Sequence, residues 1–136
     1  MNRIRKKSPP PQITDPVFGL LTFRNGLWIT ATELSQSGWF TSVDAPLSGP
    51  SEAQRRLLQK IRANLEVLRR QSLDFIGTYA FASIDVATLS IYSTEIGTDA
   101  ECAGGKFTLE YADEQADLIH RVTFERGAPT AYACDD

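Results

Sequence analysis

The sequence predicts an α+β domain: antiparallel sheet strands in the order βββ-α-ββββ, with one long helix or two consecutive helices packed on a face. Three observations carry this. Residues 51–80 hold apolar side chains at helical spacing, while the stretches before and after them hold strand-forming residues punctuated by turns. The strands are grouped on either side of the helical stretch and do not alternate with helices, which favours α+β over a doubly wound parallel sheet. A chain of 136 residues with 42% hydrophobic content can close one core without metal or disulfide support.

Residues 1–12 are set apart as a tail. Arg3, Arg5, Lys6 and Lys7 are followed by Pro9-Pro10-Pro11, with few apolar residues, so an extended or disordered arm is expected. The basic start lacks the apolar stretch that would make it an export signal. The expectation is therefore a cytoplasmic protein, with one domain over residues 13–136. Residues 17–24 read as the first strand. Asn25-Gly26, which accepts the positive φ angles of a tight hairpin, turns the chain into a second strand over residues 27–34. A turn at residues 35–38 leads to a third strand over residues 39–45.

Pro46 and Pro50 end this sheet region, and Ser51 with Gln54 three residues later has the form of a capping box. Leu57, Leu58, Ile61, Leu65 and Leu68 then form one helical stripe, extended by Ser72, Phe75, Ile76 and Tyr79. A break near Gln71 would make two helices of it. Four strands follow, over residues 89–96, 106–112, 118–126 and 130–134. In the middle pair Phe107, Leu109 and Tyr111, and Leu118, His120, Val122 and Phe124, alternate with polar neighbours, as one buried face requires.

Catalytic and metal chemistry find little purchase. His120, the single histidine, falls in an apolar alternating set and reads as a core residue. No nucleophile elbow or phosphate-binding loop occurs, and Gly104-Gly105-Lys106 precedes a strand, not a helix. Two separated cysteines, Cys102 and Cys134, and one histidine make zinc improbable; both cysteines are expected as free thiols. The carboxylates at residues 113–117 lack calcium-loop spacing. No catalytic residue, cofactor or metal is assigned.

Charge is divided along the chain. Residues 51–71 carry six basic side chains against two acids, and residues 98–136 carry nine acids against three basic side chains, within a net charge of −3. A uniformly basic nucleic-acid footprint is missing, and no apolar run is long enough to span a bilayer. A protein partner is the expectation. The acids Asp113, Glu114, Asp117, Asp135 and Asp136 are candidates for meeting a basic surface, with Trp39 and Phe40 as apolar anchors.

Asp15-Pro16-Val17-Phe18-Gly19-Leu20-Leu21, followed by Asn25-Gly26-Leu27-Trp28, resembles the start of a group of small uncharacterised bacterial α+β proteins. Those open on Asp-Pro-x-Phe-Gly-x-Leu, form a hairpin to a tryptophan strand, and continue into a helix. The segment Arg121–Gly127, with Asp135-Asp136, is similar to their C-terminal hairpins. Members often resemble immunity proteins of polymorphic toxin systems. The resemblance implies a non-enzymatic inhibitor that occludes a cognate toxin, and it carries no functional residues with it. The rival reading is a small-ligand or enzymatic domain with a pocket between helix and sheet, lined by Tyr79, Tyr92, Tyr111 and His120. A homodimer formed through an exposed edge strand is a third.

Overall fold

The computed structural model describes residues 8–30, 40–80 and 84–135. One eight-stranded sheet runs through it in sequence order: β1 (Gln12–Asp15), β2 (Gly19–Arg24), β3 (Leu27–Thr30), β4 (Phe40–Val43), β5 (Ser90–Ile96), β6 (Phe107–Asp113), β7 (Leu118–Glu125) and β8 (Ala128–Asp135). Every neighbouring pair is antiparallel except β4 and β5, which are parallel. Between those two lie α1 (Glu52–Ala63), α2 (Leu65–Tyr79) and a 3-10 turn at Val86–Thr88; α3 (Asp99–Ala103) joins β5 to β6.

The α+β class holds, with three corrections. Among the described residues four strands precede the helices, not three. The additional one, β1, begins where the tail was expected to end, and Pro11 extends its ladder through a 2.9 Å bond from Phe23 N–H to its carbonyl. The sheet is mixed, because the helical crossover returns the chain to the same end of the sheet and so makes β5 run with β4. The helical segment is two helices, and the break falls at Asn64, not near Gln71. There the Asn64 side-chain amide donates to the Lys60 carbonyl at 2.8 Å, a local bond that competes with continuation of the backbone ladder. Residues 1–7, the expected turn at 35–38, Trp39 and Asp136 lie outside the described residues.

Local chemistry fixes the remaining elements much as their residues suggest. Asn25 and Gly26 have φ of 53° and 82°, and Arg24 pairs with Leu27 across the hairpin. Ser51 Oγ accepts from Gln54 N–H while Gln54 Oε1 accepts from Ser51 N–H, completing the capping box. Gln54 is almost fully buried, and its Nε2 donates to the carbonyls of Asp44 and Gly97, tying α1 to the exits of β4 and β5.

Directly paired residues share a face, so register defines the core. One row is Trp28–Val43–Ile96–Phe107–Phe124, the next Thr41–Thr94–Leu109–Val122–Tyr132, and the third Ile91–Tyr111–His120–Cys134. These rows meet Leu58, Ile61, Leu68, Leu73 and Ile76 of the helices in a single apolar cluster. Full burial of each large side chain contributes about 1.5–3 kcal/mol, so this face and the helical stripe hold the domain together. Trp28 belongs to it, fully buried, with its indole N–H donating to the Pro46 carbonyl at 2.8 Å.

Candidate functional site

The opposite face of the sheet has a different chemistry. Its rows are Ile29–Ser42–Glu95–Thr108–Thr123–Ala131 and Phe40–Ser93–Glu110–Arg121–Ala133, with Ser90–Ala112–Ile119–Asp135 beyond. None of these residues belongs to the apolar cluster, which takes in both long helices, so the helical layer lies on the other side. A bulge at Tyr92 places Ser93 opposite Glu110 and Glu95 opposite Thr108. Glu95 and Glu110 thereby become diagonal neighbours on one face.

Arg121 stands among three carboxylates. Its guanidinium lies 2.7 Å from Glu95 Oε2, 3.7 Å from Glu110 Oε2 and 3.9 Å from Asp135 Oδ2. Ser93, fully buried, donates a short hydrogen bond to Glu110 Oε1. Burial, followed by the negative charge of Glu110, pushes the Glu95 carboxyl above its usual range although Arg121 pulls the other way. Three carboxylates against one guanidinium leave the cluster short of positive charge. Arg121 and Glu95 are each about one-third exposed (35% and 34%) and Asp135 is 60% exposed, so an incoming group can reach them. Beside Glu95 the surface dips into a recess of about 250 Å³ lined by Ser42, Asp44, Glu101, Lys106 and Thr108 among others. Phe40 adjoins, half-buried, with its ring edge-to-face on Tyr92 at 5.3 Å.

The expected site residues scatter relative to this cluster. Asp135 joins it and Phe40 shares its row. Asp113 serves its own turn: Oδ1 accepts from Gln115 and Ala116 N–H, both at 3.1 Å. Glu114 and Asp117 are exposed in that turn, and Asp117 takes a positive φ of 54°. Trp39 and Asp136 fall outside the described residues. Sequence reasoning missed Glu95, Glu110, Arg121 and Ser93. The hairpin register does pair Glu110 with Arg121, but Glu95 joins them only through the bulge.

The four residues named for a helix–sheet pocket do not converge. Tyr79 and Tyr92 are 59% and 43% exposed, whereas Tyr111 and His120 are closed off from solvent under α2. His120 Nδ1 lies 2.7 Å from the Tyr132 hydroxyl. Burial pushes the imidazole below its ordinary range, against the pull of Asp113, and pushes Tyr111 up to about 12. Among the described residues, no group of three or more His, Cys, Asp and Glu is arranged to hold a metal ion. No helix among them is long and apolar enough to cross a membrane.

The Asp-Pro-x-Phe-Gly opening has a structural explanation. Asp15 is buried; its Oδ2 accepts from Val17 and Phe18 N–H, both at 2.9 Å, and its Oδ1 accepts from Arg55 Nε at 2.8 Å. The motif closes the β1–β2 turn and anchors it to α1. Compared with protein-family models, curated proteins and solved structures, the chain finds no match.

Proposed function

We propose that this chain is a non-enzymatic protein-binding domain that uses the helix-free sheet face, centred on Arg121, to hold a basic surface of a partner. The observation that supports it is the group of three carboxylates around one guanidinium, with Arg121, Glu95 and Asp135 part-exposed and Glu95 held above its usual range by burial and by the charge of Glu110. A partner's Lys or Arg entering the recess beside Glu95 would supply positive charge and favour the ionised carboxylate. Phe40 supplies apolar area in the same row. Electrostatic attraction of this kind speeds encounter and weakens with salt.

The narrower reading is an immunity protein that occludes a bacterial toxin, carried by the resemblance of residues 15–28 and acting in the cytoplasm. Tyr111 and His120, closed off from solvent, and the exposed Tyr79 and Tyr92 support binding through a surface over catalysis in a pocket that these four residues would share. Co-expression with any growth-arresting product of a neighbouring gene tests it, together with affinity for that product at low and high salt. Growth rescue is expected, with affinity falling as salt rises. The Glu95→Lys, Asp135→Lys double variant should bind at least about tenfold more weakly. Rescue and affinity unchanged in that variant would reject the assigned face; absence of rescue by the parent would reject the immunity reading.

A further inference from the structure

The break between α1 and α2 opens a groove on the other side of the molecule. Its floor is apolar: Leu57, Ile61 and Leu68 from the helices and Phe107 from β6, with Val67 exposed at the lip. Its far wall is made by two turns, one at Gly105 and one at Arg126-Gly127, which connect α3 to β6 and β7 to β8. Gly105 has φ of +69°, a left-handed backbone conformation that glycine adopts most readily, and it packs against the Arg126 backbone. The groove holds about 290 Å³, near the lower end of small-ligand pockets.

Three polar features line this space. Lys60 and Arg126 are exposed, and neither has a carboxylate within 4.0 Å among the described residues. Gln71 also lines the space, and its buried Oε1 has no hydrogen-bond partner. A buried amide oxygen without a partner costs free energy unless something bonds it, and the amide can turn to offer its N–H instead. An apolar floor and two cations without carboxylate partners define a ligand with an apolar body and an anionic head.

We infer that this groove binds a small amphipathic carboxylate, a free alkyl or aryl acid whose tail lies on Ile61, Leu68 and Phe107 and whose carboxylate meets Lys60 and Arg126. The site is independent of the acidic sheet face, which repels the same ligand. Its position at the helix break also gives binding a structural consequence. An occupant bridges α1, α2 and two strand turns that otherwise meet across open space, so it stabilises their arrangement.

Titration of the full chain with octanoate, followed by amide NMR, tests this. Octanoate should shift the resonances of Gly105, Gly127, Val67 and the Gln71 side-chain amide and raise the melting temperature. Octylammonium, with the same tail and opposite charge, should bind at least about tenfold more weakly. The Lys60→Glu, Arg126→Glu double variant changes two exposed residues; it should keep the parent's circular dichroism and lose octanoate affinity by about tenfold or more. A second variant, Val67→Trp, should block the groove from its lip. Octanoate that leaves these amides unmoved at millimolar concentration, octylammonium binding equally well, or affinity unaffected by both variants would each overturn the assignment.

Discussion

Replacing Asp15 with alanine should destabilise the domain more than any other single change to a charged residue near the N-terminus. The carboxylate is 2% exposed, accepts two backbone N–H bonds at 2.9 Å and meets Arg55 Nε at 2.8 Å. Hydrogen bonds to a charged group contribute about 1.5–3 kcal/mol each. Arg55 is 28% exposed and regains water when its partner is removed, which offsets part of that sum. A loss of about 3–4 kcal/mol is expected, within the range for breaking buried ion pairs. At roughly 3–5 °C per kcal/mol for a chain of this size, the melting temperature should fall by roughly 10–20 °C. Asp15→Asn keeps an oxygen for the turn amides and loses only the charge, so about 1–2 kcal/mol is expected. Burial alone would raise this carboxyl, but the Phe18 and Val17 amides and the Arg55 guanidinium outweigh it and hold it below the usual range. Its contribution is therefore complete above the unfolded value near 3.9 and disappears as pH falls through the lower folded value. Urea unfolding at several pH values reads both effects. An alanine variant costing less than about 1 kcal/mol, or an Asn variant with the parent's acid dependence, would refute this account of the Asp-Pro-x-Phe-Gly turn.

Other outcomes follow from the same structure. Glu95→Gln should stabilise the protein slightly at pH 7, by less than about 1 kcal/mol given its exposure. Its folded value is raised, so stability is lost as pH rises through the unfolded value and up to the folded one; the advantage of Gln should vanish in acid, as chemical denaturation will read. His120 is held neutral by burial, so the parent should lose stability as pH falls below the unfolded value near 6.5, until the lower folded value is passed. His120→Asn should flatten that slope in denaturation midpoints taken from pH 7 to 5. Cys102 is buried with its thiol pushed up to about 11, while Cys134 is exposed and both are free. A thiol reagent should label Cys134 in the native protein and Cys102 only after unfolding.

Much of the fold is legible because short-range chemistry decides it. Asn25-Gly26 needs only its own positive φ angles, Ser51 and Gln54 need only each other, and the alternation from Phe107 to Phe124 needs only a face to bury. What was not legible depends on distant partners. Strand β1 follows three prolines and offers one apolar residue, Ile13; it exists because β2 is there to pair with it. The apolar stripe passes through Ile61, Leu65 and Leu68 without interruption, and only Asn64, bonding back to Lys60, marks the break. The candidate site is harder still. Acids concentrated in one turn draw attention in a sequence, yet Asp113 spends its carboxylate on that turn. The acids that gather are on different strands, brought onto one face by a bulge that no local pattern announces.

The central claim is that the sheet has a packed face and a recognition face. Methyl NMR during titration with a lysine-rich peptide tests it most directly. Thr108, Thr123, Ala131 and Ala133 report on the face around Arg121, and Leu109 and Val122 report on the core. Binding should shift the first group and leave the second in place. Shifts confined to the turn at residues 113–117, or centred on the core methyls, would contradict it.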